Sequence, residues 1–453
     1  MEINTAIVAG TGKSGISATK LLVNHGVKVY LFDENKDRDI EAIKEKTGDS
    51  ELVQIELGEL GEDALSSSQL MVISPGIPVD APFTDVVRNA GIPIWSEIEL
   101  AYHYGKGKIA AITGTNGKTT TTALVGEIVK AHNAKTIVVG NIGIPYTELC
   151  DTIDDDSDTV AEISSFQLET VIDFHPNVSA ILNLTPDHLN RHYTFENYGN
   201  VKFSITKNQT MDDVTVLNYD DEHTRAMGEK AKDHCHVVYF SRLEKPAGGV
   251  YVEDGDIILE DGDKKINVLA IKDLKLMGAH NVENVLAAVG VSYYMGVPVD
   301  VIRDVATSFK AVAHRIEYVD TVDGVAYYND SKGTNPDAAI KGIQAMVAPT
   351  FLIGGGYDKG SEYDEWIEAF DGKVKWLVLI GQTAQKIADC AKRHGFNSII
   401  FEENLQDAVA YCHENAVDGD AVLLSPACAS WGQFDNYEQR GDMFKEYVRS
   451  YKE

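Results

Sequence analysis

Two glycine-rich turns, and a few acids, imidazoles and lysines placed after strands, are the residues of this chain whose types and spacing could do chemistry. In Lys108-Ile-Ala-Ala-Ile-Thr-Gly114-Thr-Asn116-Gly117-Lys118-Thr119-Thr120 an apolar strand feeds a tight loop, and Lys-Thr opens a helix reaching about His132. There the backbone can wrap phosphates, Lys118 can neutralise β- and γ-oxygens, and Thr119 can ligate Mg2+. Ile112 stands where the strict GxxxxGK[ST] pattern has its first glycine, so the loop is a variant form, and it points to a nucleoside triphosphate. The other turn, Gly10-Thr-Gly12-Lys-Ser14-Gly15, sits between a strand and a helix, with Asp33 ending the next strand. Glycines there let a diphosphate approach a helix N-terminus, and the acid can accept a bond from a sugar hydroxyl. NAD fits this turn, and so does another diphosphate, or no ligand. Gly12-Lys13-Ser14 also imitates the end of a P-loop, but Ile7 occupies the required glycine position.

A metal needs carboxylate or imidazole. The strand at 159–162 ends in Glu162, and Ser164 and Gln167 follow at capping-box spacing, so a helix starts directly after the acid. That puts Glu162 at the C-terminal edge of a sheet beside the phosphate loop, where a Mg2+ ligand belongs; a solvent-exposed strand-end acid is the plainer reading. His188 and His192 are four apart, as in zinc proteases, but the glutamate of HExxH and a third soft ligand are missing. An oxygen-rich Mg2+ neighbourhood fits better. His234-Cys235-His236 reads as half-buried strand.

The elements that must position these groups are those of an α/β protein. Short β-branched runs alternate with helical patterns through most of the 453 residues, the signature of parallel sheets. Three blocks separate. Residues 1–95 hold strands near 4–9, 28–32, 70–73 and 92–94. Residues 96–311 hold strands near 109–113, 136–139, 159–162 and 178–182, and Asp254-Gly255 and Asp261-Gly262 predict a hairpin excursion. Residues 312–453 hold strands near 325–329, 350–353, 376–380 and 421–424. The expected architecture is a Rossmann-like N-terminal domain, a central P-loop ATPase-like parallel sheet and a C-terminal Rossmann-like α/β domain.

Composition narrows the function. Lys and Arg number 40 against 70 Asp and Glu, a formal net charge of −30. A nucleic-acid binder would need a basic footprint, and an anionic membrane surface would repel this chain. A hydrophobic fraction of 44% excludes a disordered chain. No apolar run approaches the length needed to span a bilayer, and MEINTAIVAG reads as a first strand and not as a signal peptide. Five scattered cysteines without CxxC indicate a reducing compartment. A soluble cytoplasmic protein is expected.

The strings GTNGKTTT (114–121), GNIG (140–143), EISSFQLE (162–169), LTPDHLNRH (184–192), GAHNVENVLAA (278–288), AHRIE (313–317), NDSKGTNPDA (329–338), GGGYDKG (354–360) and SPACASWGQFDNYEQRG (425–441) together resemble the Mur ligases. The resemblance spans essentially the whole chain. It implies an ATP-dependent amide ligase of peptidoglycan precursor synthesis, working through an acyl phosphate, and SPACASWGQF favours D-glutamate as the incoming amino acid. On this basis the first turn binds the UDP end of a UDP-muramoyl-alanine precursor and not NAD. Gly12, Ser14, Gly15, Asp33, Glu34, Ser74 and Gly76 are its expected contacts, with Asn141 and His188 near the reacting end. ATP is expected at Gly114, Asn116, Gly117, Lys118, Thr119 and Thr120, and at Asn281, Asn284, Arg315 and Asp330. Two Mg2+ ions are implied, with Thr119, Glu162, His188 and a carbamate on Lys202 as ligands. Lys332 would reach the transferring phosphate, which makes Lys118, His188, Lys202 and Lys332 the expected catalytic set. Thr334, Lys359, Ser430 and Tyr437 would hold D-glutamate. Asn190 and Gly432 stand where relatives often have Asp, which bears on local bonding and not on the reaction. The partners implied are small molecules, with no nucleic acid, no membrane and a monomeric state. An NAD(P)-dependent oxidoreductase would leave the phosphate loop and the Lys332 and Lys359 strings unexplained, and a UDP-sugar sensor on the same scaffold would not turn over ATP.

Overall fold

The computed structural model describes residues 3–141, 143–276, 278–310 and 313–452. It has a three-domain α/β architecture built on three parallel-dominated sheets. The first sheet runs in the order Val53–Leu57, Lys28–Asp33, Thr5–Ala9, Leu70–Ile73, Ile94–Ser96, all parallel. Its middle strands are apolar on both faces because helices cover both sides, as parallel sheets require. The chain order reverses between Thr5–Ala9 and Leu70–Ile73, and at that switch point the Gly10–Gly15 turn opens the helix Lys13–Asn24.

The central sheet repeats the device. Lys108–Thr113 lies between Asp158–Glu162 and Val178–Ile181, and Ile137–Gly140 forms one edge. Gly114 and Gly117, at φ +148° and +85°, turn the chain into the helix Lys118–His132. Beyond Val178–Ile181 come Val214–Asn218 and His236–Ser241, and then an antiparallel meander, Gly249–Glu253, Asp256–Asp261 and Lys264–Ala270. The Asp-Gly pairs that predicted a hairpin make its turn at Asp254 and Gly255, both at positive φ, and lead through Gly262 into the third strand. Val214–Asn218 carries no motif and is legible only as an apolar run, whereas the strand expected at His234–His236 begins only at His236, because His234 and Cys235 lie in the turn that closes the preceding helix.

By contact density these two sheets belong to one compact unit, which takes in the chain up to Asp273 and Glu283–Thr307. One apolar core runs through both, from Val8, Leu31 and Val72 to Ala111, Ile163 and Ile181. The helix Glu97–Tyr104 joins them through two buried carboxylates. Glu99 accepts the backbone N–H of Ile172, Asp173 and Phe174 at 2.7–3.0 Å. Glu97 accepts the N–H and hydroxyl of Thr147 at 2.7 and 2.9 Å, and burial pushes its pKa up. Such carboxylates survive burial because every oxygen is met by donors.

The second unit takes in Leu274–Val282 and the chain from Ser308 onward. Its six-stranded sheet runs Glu317–Val322, Val325–Asn329, Ala421–Leu424, Thr350–Gly354, Val374–Leu379, Ile399–Phe401, with the first pair antiparallel. The expected domain junction at 311/312 lies outside the described residues. All five cysteines are buried thiols. Among the described residues no helix is long and apolar enough to cross a membrane.

The two glycines of the first turn differ in what they tolerate. A methyl on Gly15 would collide with the Gly10 carbonyl, whereas one on Gly12 meets nothing within 4 Å. Gly15→Ala is expected to lower stability by roughly 1–3 kcal/mol in thermal or urea denaturation, and Gly12→Ala to stay within about 0.5 kcal/mol of the parent.

Candidate active site

The helices that begin at Ile40, Glu222, Pro336, Leu405 and Tyr437 have their first N–H groups capped by an Asp or Asn side chain. Those opening at the two glycine turns, Lys13–Asn24 and Lys118–His132, have no side-chain cap. Their N–H groups and positive helix ends are thus directed at the turns, where an anion can take them. In the central loop the Lys118 ammonium donates to the Gly114 and Thr115 carbonyls at 2.9 and 2.8 Å. Asn183 ties the loop down from the next strand, accepting from Asn116 N at 2.8 Å and donating to Asn116 O at 3.1 Å. Asn284 accepts from the Thr121 hydroxyl at 3.3 Å and packs on Gly117, so it sits against the phosphate loop. Thr120 is buried with its hydroxyl unpaired.

Beside the loop lie the carboxylate and the lysine that the resemblance makes metal ligands. Glu162 is 1% exposed. One of its oxygens accepts from Asn141 Nδ2 at 2.7 Å, and the other, Oε2, is buried with no hydrogen-bond donor. Lys202, on the helix Phe195–Phe203, is fully buried, with Nζ 2.8 Å from Gly114 O and 3.3 Å from Thr113 Oγ1. Burial, and then the Lys118 charge, hold its pKa well below the ordinary lysine range. His188 is half-exposed, in left-handed backbone at φ +53°, with its ring 4.8 Å from that of Phe166. His192, by contrast, is buried against Ser165, Nε2 to Oγ 3.0 Å, which makes it a core histidine and separates the two members of the His-x3-His pair.

The first glycine turn lines a cleft of about 560 Å3 that brings together Gly12, Ser14, Asp33, Glu34, Ser74, Gly76 and Asn141. Gly15 lies beneath the turn, packed on Gly10, and His188 is not among the lining residues. Asp33 is partly desolvated, but hydrogen bonds from Thr11 Oγ1 (2.6 Å), Thr11 N and Asn35 N, with the charge of Arg38, hold its pKa below the usual carboxylate range. Thr11, Arg38 and Gln167 also line the cleft, and sequence reasoning passed over them as lining groups. Arg38, in the run DENKDRD, was readable as a cation beside the acid expected to meet a sugar hydroxyl. Thr11 and Gln167 carry no such signal.

In the second unit, Asp330 is fully buried between the Ser425 hydroxyl (2.7 Å) and Ile316 N (3.3 Å), and burial raises its pKa to about 6 against the pull of Arg315. It stands at the start of the turn that bears Lys332 and Thr334. The Lys332 ammonium lies 5.5 Å from the Tyr437 ring centre. Arg440 stitches this turn to the SPACAS segment, donating to Ser331 Oγ and O and to Cys428 O. Lys359 rests over Trp431, 4.7 Å from its ring centre, and Ser430 is buried one residue before it. Asn281 is buried, and Arg315 is partly exposed.

Sheets with uncapped helix starts, a lysine-bearing phosphate loop and a buried acid beside it define a nucleotide-dependent enzyme, and the chain belongs to the Mur ligases. Family models match three segments in order: the MurD-like N-terminal domain at 4–96, the Mur ligase middle domain at 112–292 and the glutamate ligase domain at 314–428. It is an ATP-dependent ligase of peptidoglycan synthesis. Relatives similar to it are the UDP-N-acetylmuramoylalanine–D-glutamate ligases of Lachnospira eligens, 55% identical over 99% of both chains, and of Clostridioides difficile, 46% identical over 98% of both. Among solved structures, the fold is shared with UDP-N-acetylmuramate-alanine ligase MurC of Thermotoga maritima (19% identity, TM-score 0.60, 99% of this chain and 100% of that one). It is shared also with MurF ligase of the same organism in complex with ADP (18%, TM-score 0.59, 98% and 95%).

His192 provides a pH test of this packing. Burial, then the positive charges of His188, Arg191 and Lys202, lower its pKa to about 4, below the unfolded value near 6.5. The unfolded chain therefore binds the proton first as pH falls, and the stability this neutral histidine supports is lost progressively below about pH 6.5. Between pH 7 and pH 5 the loss is expected to be on the order of 1–2 kcal/mol. In His192→Gln, thermal denaturation should show that much less acid sensitivity than the parent.

Proposed function

We propose that this ligase joins D-glutamate to UDP-N-acetylmuramoyl-L-alanine in the cytoplasm, acting as a monomer on small-molecule substrates. The observation that carries the reading is the 2.7 Å bond between Asn141 and Glu162. It links the end of the cleft around the first glycine turn to the buried acid beside the phosphate loop, so a substrate lying in that cleft would present its far end to the phosphates. The names of the relatives support the choice of substrates.

The first block, 1–95, takes the uridine diphosphate through Gly12, Ser14, Gly15, Asp33, Glu34, Ser74 and Gly76. The central block, 96–311, takes the triphosphate through Gly114, Asn116, Gly117, Lys118, Thr119 and Thr120, with Asn281 and Asn284 on its last long helix. The third block, 312–453, contributes Arg315 and Asp330 to the nucleotide, Lys332 to the transferring phosphate, and Thr334, Lys359, Ser430 and Tyr437 to D-glutamate.

An ionised carboxylate resists attack because the amine would have to expel oxide. The muramoyl-alanine carboxylate oxygen therefore attacks the γ-phosphorus, the bond to ADP breaks, and an acyl phosphate forms. The D-glutamate nitrogen then adds to the carbonyl carbon, loses its proton, and the tetrahedral adduct collapses to amide and inorganic phosphate. Lys118 and Lys332 neutralise phosphate charge along this path, the uncapped helix start offers its N–H groups to the phosphates, and the Asn183 brace holds the loop in shape. Mg2+ fits the residues present, since the unpaired Glu162 Oε2 is a buried anionic oxygen that calls for a cation. Thr119, Glu162, His188 and carbamylated Lys202 would hold two ions, which supply charge neutralisation to the transferring phosphoryl group. The Lys202 environment supports carbamylation: burial and the neighbouring Lys118 cation favour its free amine over the ammonium, and a free amine adds CO2 with loss of one proton.

The test is phosphate release with ATP and UDP-N-acetylmuramoyl-L-alanine, comparing D-glutamate with L-glutamate, L-alanine and meso-diaminopimelate. Stoichiometric release is expected with D-glutamate alone, and equal release with another amino acid would overturn the assignment. Lys118→Ala and Lys202→Ala should each lower turnover by about 10³-fold or more, roughly 4 kcal/mol in the barrier. Bicarbonate should raise the activity of CO2-depleted parent enzyme and not that of Lys202→Ala.

A further inference from the structure

The strings EISSFQLE and LNRH each end in a charged or basic residue that the reaction above leaves unused, Glu169 in one and Arg191 and His192 in the other. Glu169 and Arg191 meet. Arg191 Nε donates to Glu169 Oε1 at 3.1 Å and Nη2 to Oε2 at 2.5 Å, a fork on a carboxylate. The side chains are 10% and 7% exposed, the most enclosed pairing of an Arg or Lys with a carboxylate among the described residues. The same Nη2 gives a third bond, 2.8 Å, to the carbonyl of Ile77. The guanidinium lies against the Phe166 ring, 4.8 Å from its centre.

These bonds join three segments that come from different places in the chain. Glu169 follows the short helix Ser165–Leu168, which starts just after Glu162. Arg191 lies on the helix Leu189–His192, whose first flanking residue is His188. Ile77 belongs to the turn whose Ser74 and Gly76 line the cleft, and Ile77 lines it too. The short helix is bounded by two non-glycine residues in left-handed backbone, His188 at φ +53° and Tyr193 at φ +64°. Such backbone persists when its surroundings over-determine it. Here Arg191 and His192 are the inward pins, and outside them the Tyr193 hydroxyl bonds Asp80, in the turn that follows the substrate turn.

We infer that Arg191, paired with Glu169, is a positioning residue that locks the His188 loop to the substrate-binding turn at 74–77, so that the cleft and the phosphate-transfer centre keep one spacing. The inference rests on the substrate reading given above and adds a residue that touches neither substrate. Lysine cannot replace the arginine, because a single ammonium cannot place two parallel donors on Glu169 and a third on Ile77.

The experiment measures binding of UDP-N-acetylmuramoyl-L-alanine and of ATP separately by titration calorimetry, with kcat and KM alongside, for the parent, Arg191→Lys, Arg191→Gln and Tyr193→Phe. Both Arg191 variants should bind the UDP-substrate at least tenfold more weakly and lose at least tenfold in kcat, with ATP affinity kept within twofold. Tyr193→Phe removes the outer bridge at an exposed position, and should raise the substrate KM about two- to fivefold at unchanged melting temperature. It decides the matter if the arginine variants do not fold. UDP-substrate affinity within twofold of the parent in every folded variant, or parallel loss of both ligands, would overturn the inference. Failure of the parent itself to bind the UDP-substrate would instead overturn the substrate reading.

Discussion

A chain with a net charge of −30 that handles phosphates and carboxylates must build positive potential locally, and the architecture answers that constraint at every level. Parallel strands deliver the backbone to one sheet edge, glycines turn it there, and helices start without side-chain caps, so that backbone N–H groups supply the field without adding a charged residue. The lysines added to this scaffold are individually arranged. Lys118 lies along the carbonyls of its own loop, Lys202 is buried beneath that loop, and Lys332 and Lys359 lie near aromatic rings, which orient an ammonium without cancelling its charge.

Buried carboxylates do the complementary work of joining elements. Glu97, Glu99 and Glu169 are each nearly or fully enclosed, and each is met by donors from a segment distant in sequence. Glu162 differs from them, because one of its oxygens has no donor. That contrast sets Glu162 apart from the acids that act as joints, and no property of the residue type distinguishes the two.

This also marks how far the sequence could be read. The glycine turns, the strand–helix alternation and the Asp-Gly meander were legible because backbone geometry restricts which residues can occupy those places. Glu162 was legible as a strand-end acid followed by a capping box, and the capping box is present. The cleft gathers most of the residues expected at the diphosphate, including Asp33 and Ser74, which lie 41 residues apart. What stayed hidden was pairing over long separations. Arg191 on Ile77, Asn183 on Asn116 and Arg440 on Ser331 are contacts fixed by how the elements pack, and nothing local announces them. The resemblance pointed to candidate side chains, whereas the contacts that hold them in place follow from how the elements pack.

The antiparallel meander at the far side of the central sheet has its own bearing on the life of the molecule. The outer strand of a sheet is a template on which another chain can add a strand, and here Arg303 already donates to its Asn267 and Val268 carbonyls. Here the last strand, Lys264–Ala270, opens with two exposed lysines and carries a third exposed polar residue, Asn267, and its register against Asp256–Asp261 is broken at Ile257/Ile258. Charge and irregularity together make that border a poor template for strand addition.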